Sequence, residues 1–353
     1  MTAILSKVVL CFILFGASYP ASAASRRSAA SLHDTSHALG LVDVFDHKSE
    51  GYACYRIPAL VRLGNGTLLL FAEGRKFSCA DHGWNDLVFK SSNDNGKTWS
   101  KLRLAYGESS SHRNVTIGNP APVVLNTTHI LLPYSRNNIE AGVLISSDGG
   151  ASWLVGPALP VPSQWSWVAT GPPGSLLLDN GYILIPADHV NSTGTFSHAY
   201  ISSDGGATWT TSNAVPHGNE AQAAALPWIS NTAVLLNMRT NTNTRQVAYS
   251  SDGGHSWAPP RPTLTETQCE GSMISLPTHP AGPVLVQSSA FASNRSNLSL
   301  HVSTDVGTTW KLGATVYPGS AAYSSLAAMG PAQVGVAFER DNYSSITFAI
   351  VNV

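Results

Sequence analysis

The sequence predicts an all-β chain, a six-bladed β-propeller with four-stranded antiparallel blades in which the N- and C-terminal strands share the closing blade. Two observations carry this. An octapeptide of the form S-x-D-x-G-x-[ST]-W recurs five times, as SNDNGKTW from Ser92, SSDGGASW from Ser146, SSDGGATW from Ser202, SSDGGHSW from Ser250 and STDVGTTW from Ser303. Its spacing is about 50 residues, the period of a unit built from four short strands. Each copy follows a short β-prone run such as LVFK or VAY, and its Asp-Gly, Asn-Gly or Gly-Gly pair tolerates the positive φ of a tight hairpin. The Asp side chain can accept from nearby backbone amides, and the Trp covers the turn with apolar surface. Asp94, Asp148, Asp204, Asp252 and Asp305 therefore read as structural, with no catalytic role.

The elements follow in order. LGLVDVF from Leu39 reads as the first strand. The first full unit is ACYRIPALVRL, the turn GNGT, LLLFAEGR, a loop through Asp81, DLVFKSS, the octapeptide turn and TWSKLRL. A second unit starts near Ala121, a third at Gly174, a fourth at Glu220 and a fifth at Gly271. The sixth starts near Tyr323, ends in SITFAIVNV and takes its outer strand from LVDVF, which closes the ring and hides the sheet edge. Residues 38–353 form one domain on this reading, since a chain of 353 residues with 43% hydrophobic content leaves nothing over for another.

Ahead of it, Lys7, the apolar run Val8 to Phe15 and Ala21-Ser22-Ala23 have the layout of a signal peptide, residues 1–23, followed by a polar lead-in, 24–37. No later run is long enough to span a bilayer, so no membrane anchor is expected. A secreted or lumenal location follows, lysosomal if the host is eukaryotic, and seven N-x-[ST] sequons fit it. Asn65, in a hairpin turn, is the better acceptor; Asn294, beside Arg295, is expected to stay free. The net charge of -1 argues against nucleic acid and gives no global field for steering an anion. No His or Cys spacing suits a metal site, and neither metal nor organic cofactor is expected. With Cys11 in the leader, Cys54, Cys79 and Cys269 are an odd set. Cys54 stands two residues before Arg56 and Cys79 two before Asp81, at the same predicted face, which makes them the disulfide candidate.

Antiparallel pairing fixes the faces. If each unit's first strand starts at the top, its second strand ends there, and the octapeptide turns lie at the bottom. The charged and aromatic residues at top-face positions are Arg56, Arg75, Asp81, Glu220, Arg239, Arg295, Tyr323 and Glu339. Asp86 is the rival to Asp81, but it enters a strand. Trp165, Trp167 and Trp228 read as core.

The octapeptide resembles the Asp-box of sialidases, YRIP resembles their arginine-bearing signature with Tyr in place of the commoner Phe, and the remaining segments keep the family's order. The resemblance covers the chain after the leader. It implies an exo-α-sialidase acting on terminal sialic acids of glycoproteins, glycolipids or oligosaccharides. Arg56, Arg239 and Arg295 would grip the substrate carboxylate, and Arg75 would line the pocket. Tyr323 would be the nucleophile, Glu220 its base, Asp81 the acid and base, and Glu339 the support for Arg56. The chemistry is coherent: guanidinium forks suit a carboxylate, and a neutral phenol avoids bringing an anion up to an anomeric carbon that already carries one. A relative preferring a deaminated sugar (KDN), a transferase, and a catalytically silent glycan-binding or scaffold propeller are the alternatives.

Overall fold

The computed structural model describes residues 39–353, apart from residue 293. The predicted leader and lead-in lie outside the described residues.

Four discrete antiparallel sheets and one larger sheet make up the fold. The first sheet takes Cys54–Arg62, Leu68–Arg75, Asn85–Ser92 and Arg103–Tyr106. Five short strands between Ile117–Gly118 and Leu154–Ala158 make the second, and six between Trp167–Thr170 and Val215–Pro216 the third. The fourth holds Gly218–Ala225, Val234–Thr240, Thr244–Ser250 and Arg261–Thr265. The last is a curled, seven-stranded sheet that runs from Ser272–Leu276 to Ser345–Asn352 and adds Leu39–Asp46 at its edge.

This corrects the expectation of six four-stranded blades: the protein has four separate blades and one continuous seven-stranded sheet. The reason lies in Lys311–Gly330, a single strand of 20 residues. It pairs with Ser296–Ser303 as far as Ser320 and with Gln333–Arg340 from Ala321, so no unpaired residue separates the two halves. The second and third sheets exceed four strands for the opposite reason. Prolines at 120 and 122 split Ile117–Gly118 from Val123–Val124, and Gly171-Pro172-Pro173-Gly174 splits Trp167–Thr170 from Leu176–Leu177. The N-terminal strand does pair with the C-terminal one, Val42 opposite Phe348.

The five octapeptides are turns that lock themselves and staple sheet to sheet. In the first, Thr98 donates to Asp94 through its amide (3.0 Å) and hydroxyl (2.6 Å), and Ser92 donates to the same carboxylate at 2.8 Å. These bonds, the Thr98 hydroxyl's first, hold the Asp94 carboxyl down at about 2. Gly96, at φ 81°, lies against the neighbouring sheet, where an added Cβ would collide with the Phe348 ring. Trp99 meets the same ring edge-on at 5.5 Å. The later turns repeat this one sheet further along: Gly150 faces Leu69, Gly206 Leu131, Gly254 Leu184 and Gly307 Leu235. Each turn thus leans on the preceding sheet, and the first leans on the last. Apolar clusters fill the spaces between sheets, such as Leu68, Leu70 and Val88 with Phe348 and Ala337. Among the described residues no helix is long and apolar enough to cross a membrane.

Candidate active site

At the face opposite these turns, strand ends from all the sheets surround a cavity of about 390 Å³. Arg75, Asp81, Glu220, Arg239 and Tyr323 line it, together with Glu73, His82, Thr116, Asn119, Asn138, Trp167 and Asn219.

Tyr323 is 8% exposed and belongs to the long strand. Its hydroxyl donates to Glu220 Oε1 in a short hydrogen bond and lies 3.2 Å from Arg239 Nη1. Arg239 closes the triangle by donating to Glu220 Oε2 at 2.7 Å. Burial raises the Tyr323 phenol well above its ordinary value and the Glu220 charge adds to this, while Arg239 opposes it. The proton is therefore held on the phenol with a carboxylate already bonded to receive it.

Arg56 arrives through a distortion of its strand. The pairing with Leu68–Arg75 breaks register between Arg56 and Ala59, and Ile57 takes φ 59°, a conformation that β-branched residues rarely adopt. The distortion turns both Arg56 Nε (2.6 Å) and the Ile57 amide (2.8 Å) onto Glu339 Oε1. Glu339 Oε2 accepts from the Tyr323 amide at 3.1 Å. One fully buried carboxylate thus fixes Arg56 and the backbone of Tyr323 together, with Arg56 Cζ 5.2 Å from the tyrosine ring.

Arg295, at φ 53°, donates to Tyr343 Oη (3.2 Å) and to the Gln268 carbonyl (3.1 Å), with its Cζ 5.8 Å from the Tyr323 ring. It lines a smaller cleft of about 110 Å³ with Asn294, Glu339 and Tyr343 rather than the main cavity. Tyr343 also stacks under Arg56, at 4.0 Å. The three arginines therefore gather around Tyr323 and Tyr343 from three places far apart in sequence.

Asp81 is on an exposed loop, its side chain 74% accessible. Arg75 Nη1 donates to it at 2.8 Å and Arg56 Nη1 is 3.8 Å away. Burial alone would raise the Asp81 carboxyl, but the bond from Arg75 and the charges of Arg75 and Arg56 outweigh it and hold the carboxyl below its ordinary value. These arginines thus favour the ionised form of Asp81. Asp86 sits elsewhere, buried and accepting from Tyr52 (2.8 Å) and Trp84 (3.0 Å).

Arg75 gives its fork to the protein: Nε and Nη2 bond Glu73 at 3.0 and 2.7 Å, and Nη1 also holds the Cys79 carbonyl at 2.6 Å. Cys79 is bridged to Cys54, as expected, and Cys269 is a buried free thiol. The bridge ties the Asp81 loop to the strand bearing Arg56. Cys54→Ser should lower unfolding stability by about 3 kcal/mol in urea titrations. Alkylation of the unfolded wild type without reductant should label Cys269 and leave Cys54 and Cys79 unlabelled.

The sequence reading missed several cavity residues. Glu73 stands in the quoted FAEGR, the one acid in an apolar strand, and is 3% exposed. Asn119 and Trp167 lie before the proline breaks at which the sequence places the starts of the second and third units. Trp165 and Trp228 are half-buried and pack against the core, whereas Trp167 faces the cavity, its indole N–H donating to buried Asp188 at 3.1 Å. No pattern in the sequence marks Tyr343.

A ring of strand ends thus carries arginines, groups suited to an anion, around a tyrosine whose phenol has a carboxylate placed to receive its proton. The sequence profile of the BNR repeat-like domain matches residues 66–336. The chain belongs to the BNR-repeat, Asp-box exo-sialidase family. It is 28% identical to a sialidase of Micromonospora viridifaciens over 327 residues, 82% of this chain and 50% of that protein. It is 27% identical to sialidase-2 of Rattus norvegicus over 354 residues, 85% of this chain and 92% of that protein. The chain spans about half the length of the first of these. Its fold is similar to that of a Hadza microbial sialidase, with TM-score 0.78, 23% identity and coverage of 86% of this chain and 66% of that one.

Proposed function

We propose that the protein is a retaining exo-α-sialidase that hydrolyses terminal sialic acid from glycans. The observation that carries the reading is the triangle of Tyr323, Glu220 and Arg239, with Arg56 and Arg295 beside it. In this reading the substrate carboxylate docks on the arginines. Tyr323 Oη attacks the anomeric carbon and passes its proton to Glu220, while the bond to the aglycon oxygen breaks and Asp81 protonates the leaving oxygen. Water then attacks the anomeric carbon, Asp81 takes its proton, and the departing Tyr323 recovers its own from Glu220. The state of Asp81 fits if substrate sets it. A carboxylate bound at Arg56 cancels part of the field that keeps Asp81 ionised, and the sugar above it deepens the burial that raises it.

Two inversions give net retention. Cleavage of a fluorogenic α-sialoside followed by proton NMR should show the α anomer first, before mutarotation. A first-formed β anomer would rule out the tyrosyl intermediate, and absence of cleavage would rule out the hydrolase. Faster cleavage of the KDN analogue would reassign the substrate within the same chemistry.

The reading extends to a secreted or lumenal protein acting on sialylated glycans. A disulfide bridge and the exposed sequon Asn65 support that compartment. Recovery of the protein only in reduced, unglycosylated form from its source cells would count against it.

A further inference from the structure

A carboxyl that none of these steps uses lies directly behind Tyr323. Glu270 is 1% exposed. Its Oε2 accepts from the Ser324 amide at 2.8 Å, and its Oε1 has no hydrogen-bond partner. Together with Glu339 on the Tyr323 amide, this means that consecutive amides end on two buried carboxyl groups from different parts of the chain. The two bonds fix the direction in which the tyrosine leaves the backbone, and so where its hydroxyl meets Glu220.

The segment carrying Glu270 is itself rigidly held. Arg245, also 1% exposed, donates to Asn237 (2.8 Å), to Glu266 (2.6 Å) and to the carbonyls of Cys269 (3.2 Å) and Gly271 (3.3 Å) on either side of Glu270. Ser289 donates to the other oxygen of Glu266. At Gly271 a Cβ would stand 2.7 Å from the Ser288 carbonyl, so the backbone there is closely packed. Arg245 is thus occupied by other partners, and among the described residues no cation forms an ion pair with Glu270.

A buried carboxylate with a single amide donor and no counter-ion is disfavoured against the neutral acid. The charged groups around it are Glu220 and Glu339 on the Tyr323 side and Arg245 with its partner Glu266 on the other. Arg239 and Arg295 are committed to the site. Burial first, then the charges of Glu220 and Glu339, push the Glu270 carboxyl well up, against the Ser324 amide and Arg245.

We propose that Glu270 is a positioning residue for Tyr323 that works in its protonated form. Neutral, it holds the Ser324 amide without placing another negative charge behind the phenol. Ionised, it opposes transfer of the phenolic proton to Glu220, because that transfer leaves charge developing on the tyrosine oxygen. The catalytic part of this proposal rests on the functional reading above; the protonation part does not.

Two measurements on the full chain test it, using Glu270→Gln, which keeps an uncharged acceptor, and Glu270→Leu, which removes it. The first is melting temperature against pH. A carboxyl held above its ordinary value of 4.5 contributes its full stability below that pH and loses it as pH rises through the folded value, whereas Gln does not titrate. The Tm of Glu270→Gln relative to wild type should therefore climb steadily above pH 4.5; a difference independent of pH overturns the protonation. The second is kcat and KM against pH on the fluorogenic α-sialoside. Glu270→Leu should lower kcat at least about tenfold with KM changed less than about threefold. Glu270→Gln should recover that kcat and move the alkaline limb upward by about one pH unit. Wild-type kcat in Glu270→Leu overturns the positioning role. Equal loss in both variants means that the charge is required and overturns the proposal. If wild type cleaves no α-sialoside, the functional reading fails, and the melting series still decides the state of Glu270.

Discussion

Tyr323→Phe is expected to lower kcat by at least about 10³-fold while leaving KM within about threefold and the fold intact. The ring stays in its buried slot against Ile57, Cys269 and Ala322, so packing is kept. Only the oxygen is lost, and with it the bond to Glu220 and the only atom that can bond to the anomeric carbon in this reading. Glu220 retains Arg239 at 2.7 Å and is not left as an unpaired charge. Any residual turnover should come from direct attack by water on a substrate still held by the arginines, and its first product should be the β anomer. A variant within about tenfold of wild type would remove Tyr323 from the chemistry.

Glu339→Ala is expected to have the largest effect on stability, a loss of about 3–5 kcal/mol in urea unfolding, because it removes one partner of a buried ion pair. The Arg56 side chain is only 8% exposed and would be left without its 2.6 Å partner. The amides of Ile57 and Tyr323 would lose their acceptor at the same time, and the positive φ of Ile57 would lose the bond that holds it. Catalysis should fall with it, through KM as Arg56 moves and through kcat as Tyr323 loosens. Glu339→Gln keeps one acceptor oxygen, enough for the Ile57 or the Tyr323 amide but not both, and loses the charge, so it should fall between wild type and Glu339→Ala. An unfolding midpoint equal to wild type in Glu339→Ala would mean that Arg56 finds another partner.

What could be read from the sequence depended on the range of the interaction. The Asp94 turn is a set of bonds across four residues, so its chemistry is written in eight consecutive letters, and all five copies form as expected. The Cys54–Cys79 bridge and the top-face positions followed from antiparallel pairing, which fixes the face at which neighbouring strands start and end. Sheet boundaries did not follow. Pro318-Gly319 has the look of a turn, yet the chain passes through it without leaving the ladder, because Ser320 and Ala321 find partners on opposite sides. The contrary case is Pro120 and Pro172, where a separate short strand stands ahead of the break, with Asn119 just after one and Trp167 within the other, both at the cavity. Glu270 and Tyr343 matter through contacts with residues some 54 and 287 positions away, Ser324 and Arg56, and nothing local distinguishes them from solvated side chains.

The uninterrupted strand Lys311–Gly330 bears on how the protein opens. Its first half lies near the outer rim, with Leu312 60% exposed, and its second half carries Tyr323 into the centre. Elsewhere a sheet can fray at its margin while the loop before the next one absorbs the motion. Here there is no such slack, so the rim and the nucleophile belong to one cooperative unit. Amide exchange at residues 312–317 should therefore be slowed together with that of Tyr323 when a ligand occupies the pocket, although the rim amides touch no ligand.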